Sequence, residues 1–240
     1  MNKINPTPII VTVIVILGLI VGILIILSQV GEKNTISATG NSQMTVAPDQ
    51  ALVYLLIETR SKSAEDAKNQ NALISTNVLT ALDKIGISKD QIETENYNLY
   101  PEYDWSDNEQ NIKGYIASNN IKIKSEDFTD VGKIIDASVD AGSLVSYINF
   151  ELSNEKTNEY KKQVLAKASE DAKQKAESIA GGLGKKLGDV VSVSSSDFNY
   201  MPYPLYRAEA SSVSVKEVAT DIQPKNLDIT ASVTVSYAIK

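Results

Sequence analysis

Residues 51–57 read ALVYLLI, an uninterrupted apolar and aromatic run that would be apolar on both faces of a strand. Such a run is typical of a strand buried in the middle of a sheet. Ala47-Pro48-Asp49 precedes it as a turn, and residues 34–46 before the turn predict another strand. We therefore expect the fold to be built around residues 51–57 as a central strand.

The segments that follow alternate between helical and strand patterns. Ser63 to Asp66 read SAED, which opens a helix in the manner of a capping box, and Gly86 ends the helical spacing. Asp127 is the expected cap of a second, shorter helix that ends before Gly142. Further strands are predicted at 92–103, 114–125 and 144–152, the last with Leu144, Ser146, Ile148, Phe150 and Leu152 on one face.

The last third of the chain contains the longest predicted helix and the most regular predicted strand. The helix covers residues 154–183, and its predicted apolar stripe is Tyr160, Val164, Ala168, Ala172, Ala176, Ile179 and Leu183. In residues 227–239 apolar side chains at every second position alternate with Asp, Thr and Ser, which predicts a strand. Between these elements a strand is expected at 190–195, and residues 194–224 show no regular pattern.

Strands that adjoin without helices, combined with strand-helix-strand units, favour the α+β class. We predict a mixed, largely antiparallel sheet with three packed helices, in one domain over residues 31–240. Because nothing in the spacing repeats at a fixed period, a repeat architecture is not expected.

Composition excludes several kinds of chemistry. The chain has 240 residues and a formal net charge of −7, with neither cysteine nor histidine. Disulfides, thiolate nucleophiles, Cys/His zinc sites and Ser-His-Asp triads are therefore excluded. An acidic surface gains nothing from phosphate contacts, so nucleic acid is not an expected partner. No cofactor and no bound metal are expected.

The N-terminal segment predicts a membrane anchor. Residues 9–27 carry no charge, and as a helix they would span roughly 28 Å, about one hydrocarbon core. Lys3 lies before the segment, which favours a cytoplasmic N-terminus at residues 1–8, an anchor over 9–30 and an extracytoplasmic domain after it. Gly18 and Gly22 have the G-x-x-x-G spacing that allows two such helices to pair. A cleaved signal peptide is the alternative.

Three short sequence motifs are spread over several of the predicted elements. Pro101-Glu102-Tyr103, residues 114–119 (GYIASN) and Ala168-x-x-Asp171-Ala172-x-x-Lys175-Ala176 occur in order before the alternating C-terminal strand. This set resembles the SIMPL-domain family over nearly all of residues 35–240. One departure is Pro224-Lys225, where relatives tend to have Pro-Gly.

The resemblance implies a SIMPL-type α+β fold in an exported or membrane-anchored protein of bacteria or archaea. Family members are described as envelope or oxidative-stress defence proteins, and some form large oligomers. No catalytic residues are established for the family. Together with the absence of histidine, cysteine and a convincing acid/base pair, the resemblance favours a non-enzymatic protein acting by self-association or through an envelope protein partner.

Two predicted loops are candidate contact sites because they are rich in tyrosine. Aromatic rings in loops can form protein interfaces, stack on glycans or small ligands, or pack within the molecule. All three roles stay open for these loops. The candidate residues are Tyr100, Tyr103, Trp105 and Tyr115 in the first loop and Tyr200, Tyr203 and Tyr206 in the second.

Acidic residues crowd into the first loop, which reads PEYDWSDNE over residues 101–109. Oxygen ligands suit Ca²⁺, but the spacing lacks the EF-hand pattern, and a solvated acidic loop is the simpler interpretation. Glu102 and Asp104 could also form the carboxylate pair of a hydrolase, the weakest of the three functional hypotheses.

Overall fold

The computed structural model describes residues 34–104, 111–200, 204–207 and 224–240 together with Ile20, and for 195–197 and 204–207 it describes the backbone only. Apart from Ile20, the expected anchor with Gly18 and Gly22 lies outside the described residues. No helix within the described ranges is long and apolar enough to cross a membrane.

The described residues form eight strands, three α-helices and a short 3-10 helix at Lys89–Gln91. The α+β class with three helices is confirmed. In chain order the strands and α-helices are β1 (Thr35–Val46), β2 (Gln50–Ser61), α1 (Ala64–Lys84), β3 (Ile92–Asp104), β4 (Asn111–Ser125), α2 (Asp130–Asp140), β5 (Leu144–Glu151), α3 (Asn154–Gly182), β6 (Leu187–Tyr200), β7 (Pro204–Arg207) and β8 (Leu227–Ile239).

The strands belong to two sheets. A five-stranded sheet has the order β3-β4-β2-β5-β7, and every neighbouring pair in it is antiparallel. The central position predicted for residues 51–57 is confirmed, since β2 has two strands on either side. A three-stranded sheet has the order β1-β8-β6, so β1 and β2 adjoin along the chain but lie in different sheets.

The chain divides into two compact units, and β1, α3, β6 and β8 each contribute residues to both. The larger unit comprises Asn41–Ala168 and Ser196–Ser232. Its core lies between one face of the five-stranded sheet and helices α1 and α2, and its largest fully buried side chains are Leu55, Ile57, Leu82, Ile123, Ile134, Ile135 and Ile148.

Helix α1 begins as its sequence predicts. The Ser63 hydroxyl accepts a hydrogen bond of 3.1 Å from the backbone N–H of Asp66 and donates one of 2.8 Å to the Asp66 carboxylate. These contacts satisfy a donor that a helix start otherwise leaves free. After the helix, Gly86 has φ +90°, and Ile87 N–H donates to the Leu82 carbonyl at 3.1 Å.

The smaller unit comprises the residues up to Gly40 together with Ser169–Ser195 and Val233–Lys240. Antiparallel pairing of β1 and β8 follows from two hydroxyl pairs, Ser37 with Ser236 at 2.6 Å and Thr39 with Thr234 at 2.9 Å. Lys175 on α3 donates to the Thr39 carbonyl at 3.1 Å, which places this part of α3 alongside β1. The buried alanines of α3 within this unit are Ala172, Ala176 and Ala180.

Two details of the predicted apolar faces were wrong. In β5 the pairing with β2 shifts register between Tyr54 and Leu55, so that Val145 is buried and Leu144 is 62% exposed. A β-bulge reverses which residues face the core beyond it. In α3 the stripe continues to Ala180 at strict four-residue spacing, whereas Ile179 and Leu183 are exposed.

The segment without regular pattern is also partly ordered. β6 extends the strand expected at 190–195 in both directions, from Leu187 to Tyr200. β7 was not predicted at all, and it pairs with β5 through Tyr206 opposite Ile148. Its four residues contain a proline, which an edge strand tolerates because the outer N–H has no ladder partner.

Candidate functional site

Large apolar and aromatic side chains are exposed on both faces of the hairpin formed by β3 and β4, since successive strand residues such as Leu99 and Tyr100 point to opposite faces. Five such side chains are 41–55% exposed. We call this set the hairpin surface; its members are Tyr97, Leu99, Tyr100 and Tyr103 of β3 and Ile112 of β4.

β3 is the end strand of the five-stranded sheet, so its outer backbone groups face away from β4. An edge strand is a template for another strand unless the protein blocks it. Pro101 and the register shifts between Thr94 and Asn96 and between Glu102 and Tyr103 interrupt the regular ladder. The stretch between these interruptions contains Tyr97, Leu99 and Tyr100, and it pairs with β4 without interruption. This part of the edge is regular, and it contains three of the exposed aromatic or apolar side chains.

The tyrosines predicted as contact residues lie in different environments. Tyr100 and Tyr103 belong to the hairpin surface, and Tyr115 is partly buried opposite Pro101. Trp105 and Tyr203 lie outside the described residues. The contact role of these residues stays a prediction.

Neither described member of the second tyrosine group, Tyr200 or Tyr206, belongs to the hairpin. The Tyr200 hydroxyl accepts a hydrogen bond of 2.7 Å from the backbone N–H of Leu152, and burial raises the pKa of this phenol. Tyr206 is in β7, at the opposite edge of the five-stranded sheet from β3. The hydrogen bond of Tyr200 supports intramolecular packing, which is one of the three roles considered for these tyrosines.

Glu102 is held in an ion-pair network. Its Oε1 lies 3.1 Å from Arg60 Nη1 and 3.8 Å from Lys113 Nζ. Arg60 also contacts Glu58 at 2.9 Å, and that hydrogen bond and charge, together with the charge of Glu102, raise the pKa of the guanidinium. Two cationic neighbours on one carboxylate oxygen are typical of a surface ion-pair network. The contacts of Glu102 therefore do not favour the hydrolase hypothesis.

The acidic loop contributes no metal site to the described part of the chain. Asp107 and Glu109 lie outside the described residues. Within residues 34–104, 111–200, 204–207 and 224–240, no group of three or more acidic side chains is arranged to hold a metal ion. The Ca²⁺ interpretation therefore gains no support from the described residues.

A polar and aromatic cluster that the sequence analysis did not predict lies on the sheet face opposite α1 and α2. Tyr54 of β2 and Tyr147 of β5 stand directly opposite each other, with ring centroids 4.0 Å apart. Burial, followed by the charge repulsion of Tyr147, raises the pKa of Tyr54 well above its ordinary value. Lys122 of β4 contacts Glu93 at 2.7 Å and Glu95 at 3.5 Å on β3. The only sequence signal was the alternation of lysine with isoleucine in β4.

A groove of about 570 Å³ lies in the larger unit and is lined by charged side chains of both signs, including Lys122, Lys124, Asp90 and Glu151. Burial raises the pKa of Glu151, while its hydrogen bond of 2.9 Å from Gln50 opposes that rise. Six carboxylates and three lysines line the groove, so its lining has a net negative formal charge.

One wall of the groove is the start of α3. The Asp49 carboxylate accepts hydrogen bonds of 2.6 Å from the backbone N–H and from the hydroxyl of Ser153. Ser153 Oγ in turn accepts from Lys156 N–H at 3.2 Å, which satisfies a free donor of the first helical turn. These contacts give Asp49 and Ser153 a structural role.

Comparison with known proteins gives relatives that cover most of the chain. The 26 kDa periplasmic immunogenic protein of Brucella melitensis is 31% identical over 179 residues, which are 72% of this chain and 71% of that protein. The uncharacterized protein YggE of Escherichia coli K12 is 28% identical over 185 residues, covering 76% and 75%. YggE of Edwardsiella ictaluri is 26% identical over 193 residues, covering 80% of each.

The model of the SIMPL family, described as a protein of unknown function (DUF541), matches residues 36–237. This range begins within β1 and ends within β8, so it includes every described strand and helix. The resemblance seen in the dispersed motifs is confirmed, and the chain belongs to the SIMPL family.

Proposed function

We propose that this chain is a membrane-anchored, extracytoplasmic protein without enzymatic activity, which acts by associating with copies of itself or with an envelope protein partner. The hairpin surface carries the proposal: a regular stretch of edge strand there bears exposed tyrosine and leucine side chains. Edge strands that keep apolar side chains exposed offer both ladder hydrogen bonds and buried area to a partner.

The proposed compartment has two supports. The Brucella relative is named as periplasmic. In the chain itself, residues 9–27 are uncharged and long enough for one membrane crossing, with Lys3 on the side expected to stay in the cytoplasm. Gly18 and Gly22 would let two anchors pair and so reinforce association of the domains.

The anchor predicts how the protein fractionates. The full chain is expected to remain with membranes after carbonate extraction, and its N-terminal sequence is expected to begin before residue 9. The matched control is the chain shortened to residues 34–240, which should be released. An N-terminus near residue 30 in the exported protein would show a cleaved signal peptide and contradict the anchor.

Substitution of Leu99 tests the hairpin surface. Leu99→Arg places a charge in the middle of the regular edge, and we expect at least a tenfold weaker self-association, as for a residue at the centre of an interface. The measurement is the molar mass by light scattering of the full chain in detergent at micromolar concentration. Leu73→Arg on α1 is the control, because Leu73 is 63% exposed and lies outside the hairpin surface.

Two results would contradict the proposed surface. The unmodified chain could be a strict monomer under these conditions, or Leu99→Arg could leave the mass unchanged. Because the chain has no cysteine, Leu99→Cys gives an independent check. Disulfide-linked dimers should form in membranes if two β3 edges pair antiparallel with residue 99 opposite its counterpart, because a disulfide needs Cα atoms within about 7 Å of each other.

A second candidate function uses the same exposed rings. Tyr100 and Tyr103 are 44% and 41% exposed and could stack on a glycan or small ligand. A glycan array with the unmodified chain and with Tyr103→Ala separates the two functions. Binding that is lost in Tyr103→Ala while the molar mass stays unchanged would favour the ligand-binding module.

A role in oxidative or envelope stress is part of the proposal through the family resemblance. The chain has three methionines and no cysteine, so it is a poor direct target for peroxide. The role would therefore be indirect, through the partner. A deletion strain that survives peroxide and envelope stress as well as its parent would contradict it.

A further inference from the structure

We propose that Leu183, Lys185 and Lys186 form a docking surface for the headgroups of anionic phospholipids in the membrane that holds the anchor. We call these three residues the lysine patch. The proposal rests on the membrane anchor proposed above. It implies that one end of the smaller unit lies against the bilayer.

The first observation is where the chain enters the smaller unit. Ile239 N–H donates to the Asn34 carbonyl at 3.0 Å, and Lys186 and Lys240 exchange two backbone hydrogen bonds of 2.9 Å. Asn34, Lys240 and Lys186 therefore lie side by side at one end of the three-stranded sheet. Since neighbouring strands are about 4.8 Å apart, Lys186 is roughly 10 Å from Asn34.

The second observation is the short chain between that end and the apolar segment. Seven residue steps separate residue 27 from Asn34. Even a fully extended chain covers at most about 25 Å in seven steps. An anchor over residues 9–30 therefore keeps this end of the smaller unit close to the bilayer surface, where lysine side chains can reach headgroups.

The third observation is the charge of the patch in an otherwise acidic protein. Lys185 and Lys186 are exposed, and no carboxylate among the described residues forms an ion pair with either of them. Lys240, by contrast, lies 3.9 Å from Asp189. Two free cations stand here although the whole chain has a net charge of −7. Anionic headgroups are the complementary partner.

The patch also has a fixed backbone and an apolar member. Gly184 has φ +66°, and Lys185 N–H donates to the Ala180 carbonyl at 2.9 Å, so the turn after α3 is hydrogen-bonded back to the helix. Leu183 is 64% exposed beside the lysines. An exposed leucine flanked by lysines is the combination that enters the boundary between headgroups and acyl chains.

The test uses the full chain reconstituted into vesicles of phosphatidylcholine, with or without phosphatidylglycerol. Gly182→Cys supplies a single cysteine for a fluorescent label, since residue 182 faces open space next to the patch. Quenching by a headgroup-labelled lipid then reports docking. We expect strong quenching only with phosphatidylglycerol, and weaker quenching as salt is raised.

Charge reversal supplies the decisive comparison. A lysine near an anionic surface contributes about a fivefold preference, so Lys185→Glu combined with Lys186→Glu is expected to lower the docking equilibrium at least 25-fold, by roughly two such factors. The control is Lys84→Glu with Lys89→Glu, which makes the same change of charge at two exposed lysines of the larger unit.

The outcomes separate this inference from the anchor. Equal quenching in both kinds of vesicle, or quenching that survives reversal of Lys185 and Lys186, would overturn the docking surface while carbonate extraction still shows an anchored chain. Release of the full chain by carbonate would overturn the anchor and the docking surface together.

Discussion

Asn71→Ala is expected to lower the free energy of unfolding by about 3 kcal/mol, because Asn71 joins α1 to two paired strands. The side chain is fully buried, and its Nδ2 donates to the Ile57 carbonyl on β2 at 2.8 Å and to the Ala117 carbonyl on β4 at 3.0 Å. Alanine removes both bonds and leaves a small cavity under the helix. Urea unfolding followed by far-ultraviolet circular dichroism measures the loss.

The neighbouring Asn69 provides a matched control. It lies in the same helix and is exposed, so Asn69→Ala should change the unfolding free energy by less than about 0.5 kcal/mol. A polar connection from Asn119 through Ser75 to Asn71 adds to the difference between the two sites. A loss of less than about 1 kcal/mol in Asn71→Ala would contradict the structural role given to this residue.

Gly114→Ala is expected to cost about 2–3 kcal/mol, in the upper part of the range for overpacking. A Cβ at position 114 would lie 2.7 Å from the carbonyl oxygen of Ser61, which is backbone at the end of β2. Strands β2 and β4 would have to move apart at the point where their pairing begins. The same urea titration measures the effect.

The sign of the change makes this test specific. In Gly182→Ala the added Cβ meets open space at the end of α3, so the better helix propensity should stabilise the protein by about 0.5–1 kcal/mol. Opposite signs for the two substitutions are therefore expected. A stabilising Gly114→Ala would show that the β2–β4 contact is looser than 2.7 Å implies.

Regular patterns made most of the fold predictable. β8 was predicted with the bounds that it has, because its apolar and polar residues alternate from Leu227 to Tyr237 and every second side chain in that range is buried. The start of α1 was predictable because Ser63 is followed by acidic residues at the capping positions.

The errors have physical causes that a sequence pattern does not contain. Alternation assigned Leu144 to the core face, but a bulge in β5 changes the register only after β5 pairs with β2. Hydrophobic spacing favoured Ile179 and Leu183 in α3, whereas the buried stripe continues with the small Ala180. β7 could not be predicted from apolar periodicity, because it is only four residues long and forms by pairing with β5.

The candidate site was only partly predictable. Composition indicated the tyrosines of the first loop, and the structure shows Tyr100 and Tyr103 exposed on an edge strand. Leu99 and Ile112 were not singled out, since exposure depends on which strand lies at the edge. The buried polar residue Asn71 was missed as well, because the buried face of the helix was predicted from apolar residues alone.

The pairing of β1 with β8 has a consequence for the order of folding. Ser37 contacts Ser236 and Thr39 contacts Thr234, partners that are 199 and 195 residues apart in the chain. The first strand to be synthesised has β8 as its only neighbour among the described strands, and β8 is the last. Contacts of such long range form slowly because nearly the whole chain must close into one loop. We therefore expect that an exported chain completes its three-stranded sheet only after residue 239 has left the translocation channel.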